Sequence, residues 1–240
     1  MSSAFNSSTD ISEITPATID NLRSLTEHEI VFTRISSLNA PSIKLLRELL
    51  SPHIISFPNV PELSTDAALE LANGFRAQLH LPNVSHLNRN TLRALCSWKR
   101  AWIYFPEIKT LEADAEHLEL ALHCGNLSLV RLLIEKGHFS PNHVFRNRLV
   151  PILIAGLHLN AALIRLLLEL GANPNAQSHK DGDTILHLAC RARSNGLIVF
   201  LLDHVDRSLR NSNGRIAMDE YLDHDPIREK LQPPTPPMLY

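Results

Sequence analysis

The chain has 240 residues, 44% of them hydrophobic, which is enough for the core of one elongated domain or two small ones. Its formal net charge of −2 argues against a protein that binds nucleic acid or anionic membranes through an overall positive charge. Three widely spaced cysteines indicate neither a disulfide framework nor a structural zinc site. A secretory signal and an apolar stretch of about 20 residues are both missing, so we expect a cytoplasmic or nuclear protein without a membrane span.

The N-terminal part of the chain is predicted to form an irregular helical domain over residues 13–112, after a disordered start at 1–12. Four helical segments are separated by prolines: 15–25, 39–50, 64–79 and 90–105. No alternating stretch is long enough to predict a strand. Residues 43–48 resemble an apolar motif that is repeated later in the chain, and residues 29–37 are a candidate partner helix. A degenerate early repeat is therefore an open alternative.

The densest aromatic group lies just before the repeats, at residues 98–105. Trp98, Trp102 and Phe105 share a helical spacing, and Tyr104 lies among them. Aromatic residues at such a spacing are more often core than interface. We therefore expect them to pack the N-terminal domain onto the first repeat.

One apolar motif, which we call the apolar phrase, occurs three times at equal steps, at residues 129–135, 163–169 and 197–203. Each step amounts to about 34 residues, and a fixed period in this range is typical of stacked repeat proteins. Shorter helical runs precede the phrases, at 115–124, 150–158 and 184–192, which predicts two helices per period. Gly137 and Gly171 are expected to end their helices in the left-handed conformation, whereas Val205 should give the third turn another shape.

The third unit resembles the ankyrin repeat. Thr184-Ile-Leu-His187 matches the Thr-Pro-Leu-His entry, and Gly171-Ala-Asn-Pro-Asn matches the Gly-Ala-Asp-x-Asn exit. The resemblance implies a structural hydrogen-bonding role for His187 and an all-α fold, an ankyrin-repeat solenoid of about three and a half helix-turn-helix repeats. The repeats would span 113–146, 147–180 and 181–212, with a capping unit at 213–232 and a proline-rich tail at 233–240.

Candidates for catalysis and for metal or cofactor binding are weak, despite thirteen histidines. No His-Glu-x-x-His helix, Gly-x-Ser-x-Gly elbow or phosphate-binding glycine loop is present. Cys124 could pair with His123 or His158, but a nucleophilic pair also needs an orienting group and an oxyanion site. We therefore predict no catalytic residue, metal ligand or cofactor.

The predicted function is binding of another protein, as an interaction module or scaffold suited to an acidic segment. The resemblance places turn tips and inner helices along one concave surface, although loop charges of this kind often only face solvent. The candidate contact residues are His143, Arg146, His179, Lys180, Arg191, Arg210 and Arg215. Two alternatives stay open: an adaptor whose N-terminal helices dock an assembly, and an enzyme with a small-molecule pocket on a repeat scaffold.

Overall fold

The computed structural model describes residues 6–9, 11–23, 29–47, 54–75, 77–99, 102–221 and 230–232. The chain forms two compact units, Met1–Phe139 and Ser140–Tyr240. The sequence predicts a boundary at residue 112, so the first predicted repeat helices fall within the N-terminal unit. Most of the predicted disordered start and the whole proline-rich tail lie outside the described residues, but residues 6–9 form a strand.

The N-terminal unit alternates short strands with helices. The strands are β1 (Asn6–Thr9), β2 (Glu29–Phe32), β3 (Ile54–Ser56), β4 (Gln78–His80), β5 (His86–Leu87), β6 (Ile103–Tyr104) and β7 (Thr110–Leu111). The helices are α1 (Pro16–Arg23), α2 (Ala40–Leu46), α3 (Thr65–Ala72), α4 (Arg89–Cys96), α5 (Ala115–Cys124) and α6 (Leu127–Glu135). A parallel sheet has the strand order β1-β2-β3-β4-β6, and β5 pairs in parallel with β7.

The strands of the large sheet recur at a second, shorter period. Ile30 pairs with Ile55, Ile55 with Leu79, and Leu79 with Ile103, at nearly equal steps along the chain. Each step amounts to about 24 residues, a period in the range typical of repeat proteins, and the recurring unit contains one short strand and one helix. The N-terminal unit is therefore also repetitive, with a different building block from the longer period.

The same positions of each strand unit form the core. These four paired residues are buried, as are the residues two and five places later. The second set is Phe32, Phe57, Leu81 and Phe105, and the third is Ile35, Val60, Val84 and Ile108. The rings of Phe32 and Phe57 stack with their centroids 5.0 Å apart. Each unit thus completes its core against the next.

The parallel sheet contradicts the all-α prediction, and the prediction of a helical domain over residues 13–112 was wrong. The predicted helix 64–79 ends at Ala72 and is followed by β4, and the predicted helix 90–105 ends at Cys96 before β6. Residues 29–32 are β2, so the degenerate ankyrin repeat was also wrong. Strands of two to four residues are too short to show alternation, and pairing with neighbouring strands stabilises them.

The aromatic group divides between core and surface. Trp98 and Phe105 are buried, and Nε1 of Trp98 donates to the carbonyl oxygen of Phe75 at 3.1 Å. Trp102 and Tyr104 are 60% and 57% exposed, which contradicts the prediction of a helical core for Trp102. Trp102 lies beside Ile103 of β6, and adjacent residues of a strand point to opposite faces.

The helix pair α5–α6 is fixed to the last strand unit by polar contacts. Asn126 caps α6, is fully buried, and donates to the carbonyl oxygens of Leu95 and Trp98 at 3.0 and 3.1 Å. The boundaries of α5 agree with the predicted run 115–124. These buried hydrogen bonds explain why the first helix pair belongs to the N-terminal unit.

The C-terminal unit contains the next two helix pairs. They are α7 (Pro151–Leu157) with α8 (Ala161–Glu169), and α9 (Ile185–Arg191) with α10 (Asn195–Leu201). Leu167 and Leu201, which occupy equivalent positions of the two pairs, are both fully buried. The predicted two helices per period are confirmed here. In the predicted capping unit, Ala217–Glu220 form a single 3-10 turn, and most of the predicted last helix lies outside the described residues.

The helix ends follow the prediction only in part. Gly171 adopts the left-handed conformation with φ of +88°, as predicted. Gly137 does not, because His138 takes the positive φ instead, at 58°. Val205 has no positive φ, in agreement with its β-branched side chain.

Candidate protein-binding surface

Three turns of the C-terminal unit lie just before α7, α9 and the 3-10 turn. We call these turns the tips, and they are residues 145–149, 178–183 and 211–215. A backbone hydrogen bond of 2.9 Å closes each tip. Each has one residue in the left-handed conformation, at Arg148, Gly182 and Gly214. The backbone N–H of Ser212 also donates to the carbonyl oxygen of Asp181 at 2.9 Å, which joins the second tip to the third.

Most of the sequence-predicted contact residues lie on or beside these tips. His143 is half-buried with its ring edge-on to Phe145, at a centroid distance of 4.9 Å. The other six are exposed: Arg146, His179, Lys180, Arg191, Arg210 and Arg215. An Nη1 atom of Arg148 contacts the His179 ring, so a residue that the sequence did not single out joins the first two tips.

Arg191 is bound by carboxylates of this chain. Its Nη2 donates to Asp183 at 2.6 Å, and its Nε lies 3.7 Å from Glu220. The hydrogen bond to Asp183 raises the pKa of Arg191 further above its ordinary value. Asp183 is 2% exposed and also accepts from Asn211 at 2.9 Å. Arg191 therefore balances a buried negative charge, whatever else it contacts.

Arg210 and Arg215 are also tied to their own turn. An Nη1 atom of Arg210 donates to the carbonyl oxygen of Gly214 at 2.6 Å, and Arg215 lies 3.7 Å from Glu220. Both guanidinium groups stay at the surface, where such contacts are weak. Arg146 and Lys180 are thus the exposed tip cations most clearly suited to an outside ligand.

Three exposed apolar residues near the first tip and the end of α7 were missed by the sequence analysis. Val144, Leu157 and Leu159 are 63%, 55% and 40% exposed. Aligning the second repeat with the third would have found the two leucines, because it matches them with Arg191 and Arg193. Leu159 has a φ of +49°, a conformation that bulky residues rarely adopt.

Two buried histidines have the same capping geometry. His187, 1% exposed, accepts at Nδ1 from the backbone N–H of Thr184 at 3.3 Å, as the resemblance implies for a structural role. In the N-terminal unit, Nδ1 of His117 accepts from the backbone N–H of Asp114 at 3.2 Å, and its Nε2 donates to the carbonyl oxygen of Arg89 at 3.0 Å. Both rings thus act as hydrogen-bonding elements of the fold.

Burial lowers the pKa of His117 below its ordinary value of 6.5, and the positive charges of Arg89 and Arg93 act in the same direction. The carbonyl oxygen of Arg89 and the charge of Glu116 act against them. The carboxylate of Asp114 also lies 2.6 Å from Nδ1, but it is paired with Arg89. That pairing offsets much of its attraction for a proton on the ring, so burial dominates.

The cysteines do not have the properties of nucleophiles. Burial raises the pKa of all three thiols, that of Cys190 to about 12. They therefore remain protonated at neutral pH, and the thiol is the less reactive form. Within the described residues, no group of three or more His, Cys, Asp or Glu side chains could hold a metal ion.

Helix pairs that recur at a fixed spacing and follow hydrogen-bonded tips define a helical repeat protein, and α9 also begins with a Thr-x-x-His capping box. A profile of the ankyrin repeat matches residues 181–212. The chain therefore contains an ankyrin repeat, as the resemblance implied, and the matched segment lies within the C-terminal unit. No helix among the described residues has the length and apolar character needed to span a membrane.

Several proteins named "Ankyrin repeat, SAM and basic leucine zipper domain-containing protein 1" are similar to part of the chain. The protein of Saimiri boliviensis boliviensis is 40% identical over 82 residues, 34% of this chain and 17% of the relative. That of Otolemur garnettii is 38% identical over 108 residues, 45% of this chain and 22% of the relative. The chain thus spans only about a fifth of these relatives' length.

Proposed function

We propose that the chain is a protein-interaction module whose C-terminal unit binds an acidic segment of a partner protein. Ankyrin repeats generally mediate contacts between proteins, on the extended surface that a stack of repeats presents. A preformed surface loses little conformational entropy on binding, which favours recognition of a flexible segment.

The charge of the tips is the observation that carries this proposal. Five exposed basic side chains lie on or beside them, against one exposed carboxylate, that of Asp181. The basic residues are Arg146, Arg148, Lys180, Arg210 and Arg215. Positive groups on neighbouring tips attract an acidic segment and orient it, even where each contact is individually weak.

The apolar residues suggest how the partner segment is oriented. Leu157 and Leu159 lie at the end of α7, whereas the equivalent residues of the next repeat, at the end of α9, are Arg191 and Arg193. We therefore expect apolar side chains of the partner near α7 and acidic side chains near α9. The polarity of the surface would fix the direction in which the segment lies.

The test is affinity purification with mass spectrometry, comparing the wild-type chain with an Arg146→Glu plus Lys180→Glu variant. Lys109→Glu plus Lys136→Glu is the matched control, because it makes the same change of charge at exposed sites of the N-terminal unit. We expect partners to be lost from the tip variant and retained by the control. Identical partner sets for all three proteins would contradict the proposal.

Arg191 is unsuitable for this test. An Arg191→Glu substitution would place a third carboxylate beside Asp183 and Glu220 and destabilise the unit directly. Loss of a partner would then report unfolding. Circular dichroism of each variant verifies that Arg146 and Lys180 can be changed without that effect.

A further inference from the structure

The large sheet of the N-terminal unit has a second face, opposite the residues that form its core. Ile30, Ile55, Leu79 and Ile103 lie in the core, so the residues that alternate with them point to the opposite face. One row on that face is fixed by the strand register: Val31 pairs with Ser56, Ser56 with His80, and His80 with Tyr104. We call these four residues the open-face row.

The row ends in exposed aromatic side chains. Tyr104 is 57% exposed, and its ring lies 5.5 Å from that of His80 between centroids. Trp102, 60% exposed, lies two residues before Tyr104 and therefore on the same face. The row contains no Asp, Glu, Lys or Arg. Tyr104 and the half-buried His80 offer a phenol and an imidazole for hydrogen bonding, whereas Ser56 is only 9% exposed.

A surface with aromatic faces, hydrogen-bond donors and no strong charge suits a proline-rich segment. Such a segment adopts an extended polyproline helix without internal hydrogen bonds, so its carbonyl oxygens can accept from the surface while its rings pack on aromatic residues. Glu29 lies on the same face, two residues before Val31, and it disfavours an acidic segment. The chain itself carries a matching sequence in residues 233–240, which contain four prolines and no charged side chain.

The dimensions of the row and the segment agree. Four neighbouring strands spaced about 4.8 Å apart span about 14 Å. Residues 233–237, Pro-Pro-Thr-Pro-Pro, would extend over about 15 Å at about 3.1 Å per residue in a polyproline helix. We propose that the open-face row and Trp102 bind residues 233–240 of a second copy of this chain.

This inference goes beyond the binding of an acidic partner by the tips. It gives the N-terminal unit a binding role of its own, through a sheet face, where the sequence had suggested docking by helices. It does not depend on the tips, so each proposal can fail without the other.

The test uses a labelled peptide of residues 231–240 and a full-length tail variant in which Pro233, Pro234, Pro236 and Pro237 are changed to Ser. Removing the prolines from the protein keeps its own tail from competing with the peptide. We expect saturable binding by fluorescence polarisation and a shift of tryptophan emission to shorter wavelength. Trp102 is the source expected to respond, because Trp98, the other tryptophan, is buried.

Substitution of Trp102→Ser and Tyr104→Ser in the tail variant should weaken peptide binding at least tenfold, measured by polarisation. Leu69→Ser is the control, because Leu69 is 49% exposed on α3, away from the sheet face. It should leave the affinity unchanged. Circular dichroism confirms that each variant is folded. Equal binding by the Trp102/Tyr104 and Leu69 variants, or by a peptide with its prolines changed to alanine, would overturn the proposal.

Sedimentation equilibrium tests the second copy as the source of the segment. The wild-type chain should associate as its concentration rises, and the tail variant should associate less. Peptide binding without self-association of the wild-type chain would overturn this part of the proposal.

Discussion

Nε2 of His187 donates a hydrogen bond to the backbone carbonyl oxygen of Arg215, in the turn that follows α10, at a distance of 3.0 Å. Because Nδ1 of the same ring accepts from Thr184, the ring is held as the Nε2-protonated tautomer. One side chain thus fixes both the start of α9 and a turn of the next unit. The ring is thus one of the links between these neighbouring units, beside the hydrogen bonds from Ser212 to Asp181 and from Asn211 to Asp183.

We expect His187→Ala to lower the free energy of unfolding by about 2–4 kcal/mol, because it removes a buried ring and leaves the buried backbone N–H of Thr184 without a partner. Urea denaturation followed by circular dichroism measures the change. Lys180→Ala, at an exposed tip residue, is the control and should stay within about 0.5 kcal/mol of the wild type. A loss no larger for His187 than for Lys180 would contradict the structural role of the ring.

Gly182→Ala should destabilise the C-terminal unit by about 2 kcal/mol or more, because Gly182 has a φ of +67° and a Cβ atom there would lie 2.7 Å from the backbone nitrogen of Ser212. Gly171→Ala, with a φ of +88° but open space around it, should cost only about 1 kcal/mol. Urea denaturation of both variants gives the comparison. Equal losses for the two variants would indicate that Gly182 of the second tip does not lie close to Ser212 of the third tip.

Leu159→Gly should stabilise the chain by about 0.5–1 kcal/mol, since glycine relieves the left-handed strain of a bulky residue. Gly125, at the equivalent position of the preceding helix pair, adopts this conformation with a φ of 66°. Leu157→Gly, at the end of α7, is the control and should destabilise. If Leu159 belongs to the binding surface, the more stable variant should also lose partners. A decrease in stability, measured by urea denaturation, would argue against strain at Leu159.

The stability of the N-terminal unit should fall as the pH is lowered below the ordinary histidine pKa of 6.5. The pKa of His117 is lower in the folded unit than in the unfolded chain, so protons favour unfolding between those two values. Both tryptophans lie in this unit, and their fluorescence during urea denaturation reports its unfolding. His117→Gln should reduce the pH dependence, whereas His123→Gln, an exposed residue of the same helix, should retain it. An unchanged pH profile for His117→Gln would exclude this ring as the cause.

The helix pairs could be predicted from the sequence because their signal is local. An apolar face recurring every three to four residues and a cap such as Asn126, Asn160 or Thr184 define each helix within one segment. The period of the apolar phrase then showed which residues of successive helix pairs are equivalent. The ankyrin family followed from the same residues.

The parallel sheet depended on the tertiary structure. Its strands have only two to four residues, too few for a periodic signal, and form because strands of the neighbouring units supply the hydrogen bonds. One trace was present in the sequence: Phe57-Pro58, Leu81-Pro82 and Phe105-Pro106 recur at equal steps. Interpreting those steps as a second period would have predicted the strand units.

The sequence by itself determined where helices start and which family the repeats belong to, because caps and apolar periodicity act over a few neighbouring residues. The structure alone decided what surface charges do. It placed Arg191 on the buried Asp183, and it left Trp102 exposed where helical spacing had predicted a core. Such outcomes depend on side chains that folding brings together from distant parts of the chain. A sequence pattern does not contain the distances between these side chains.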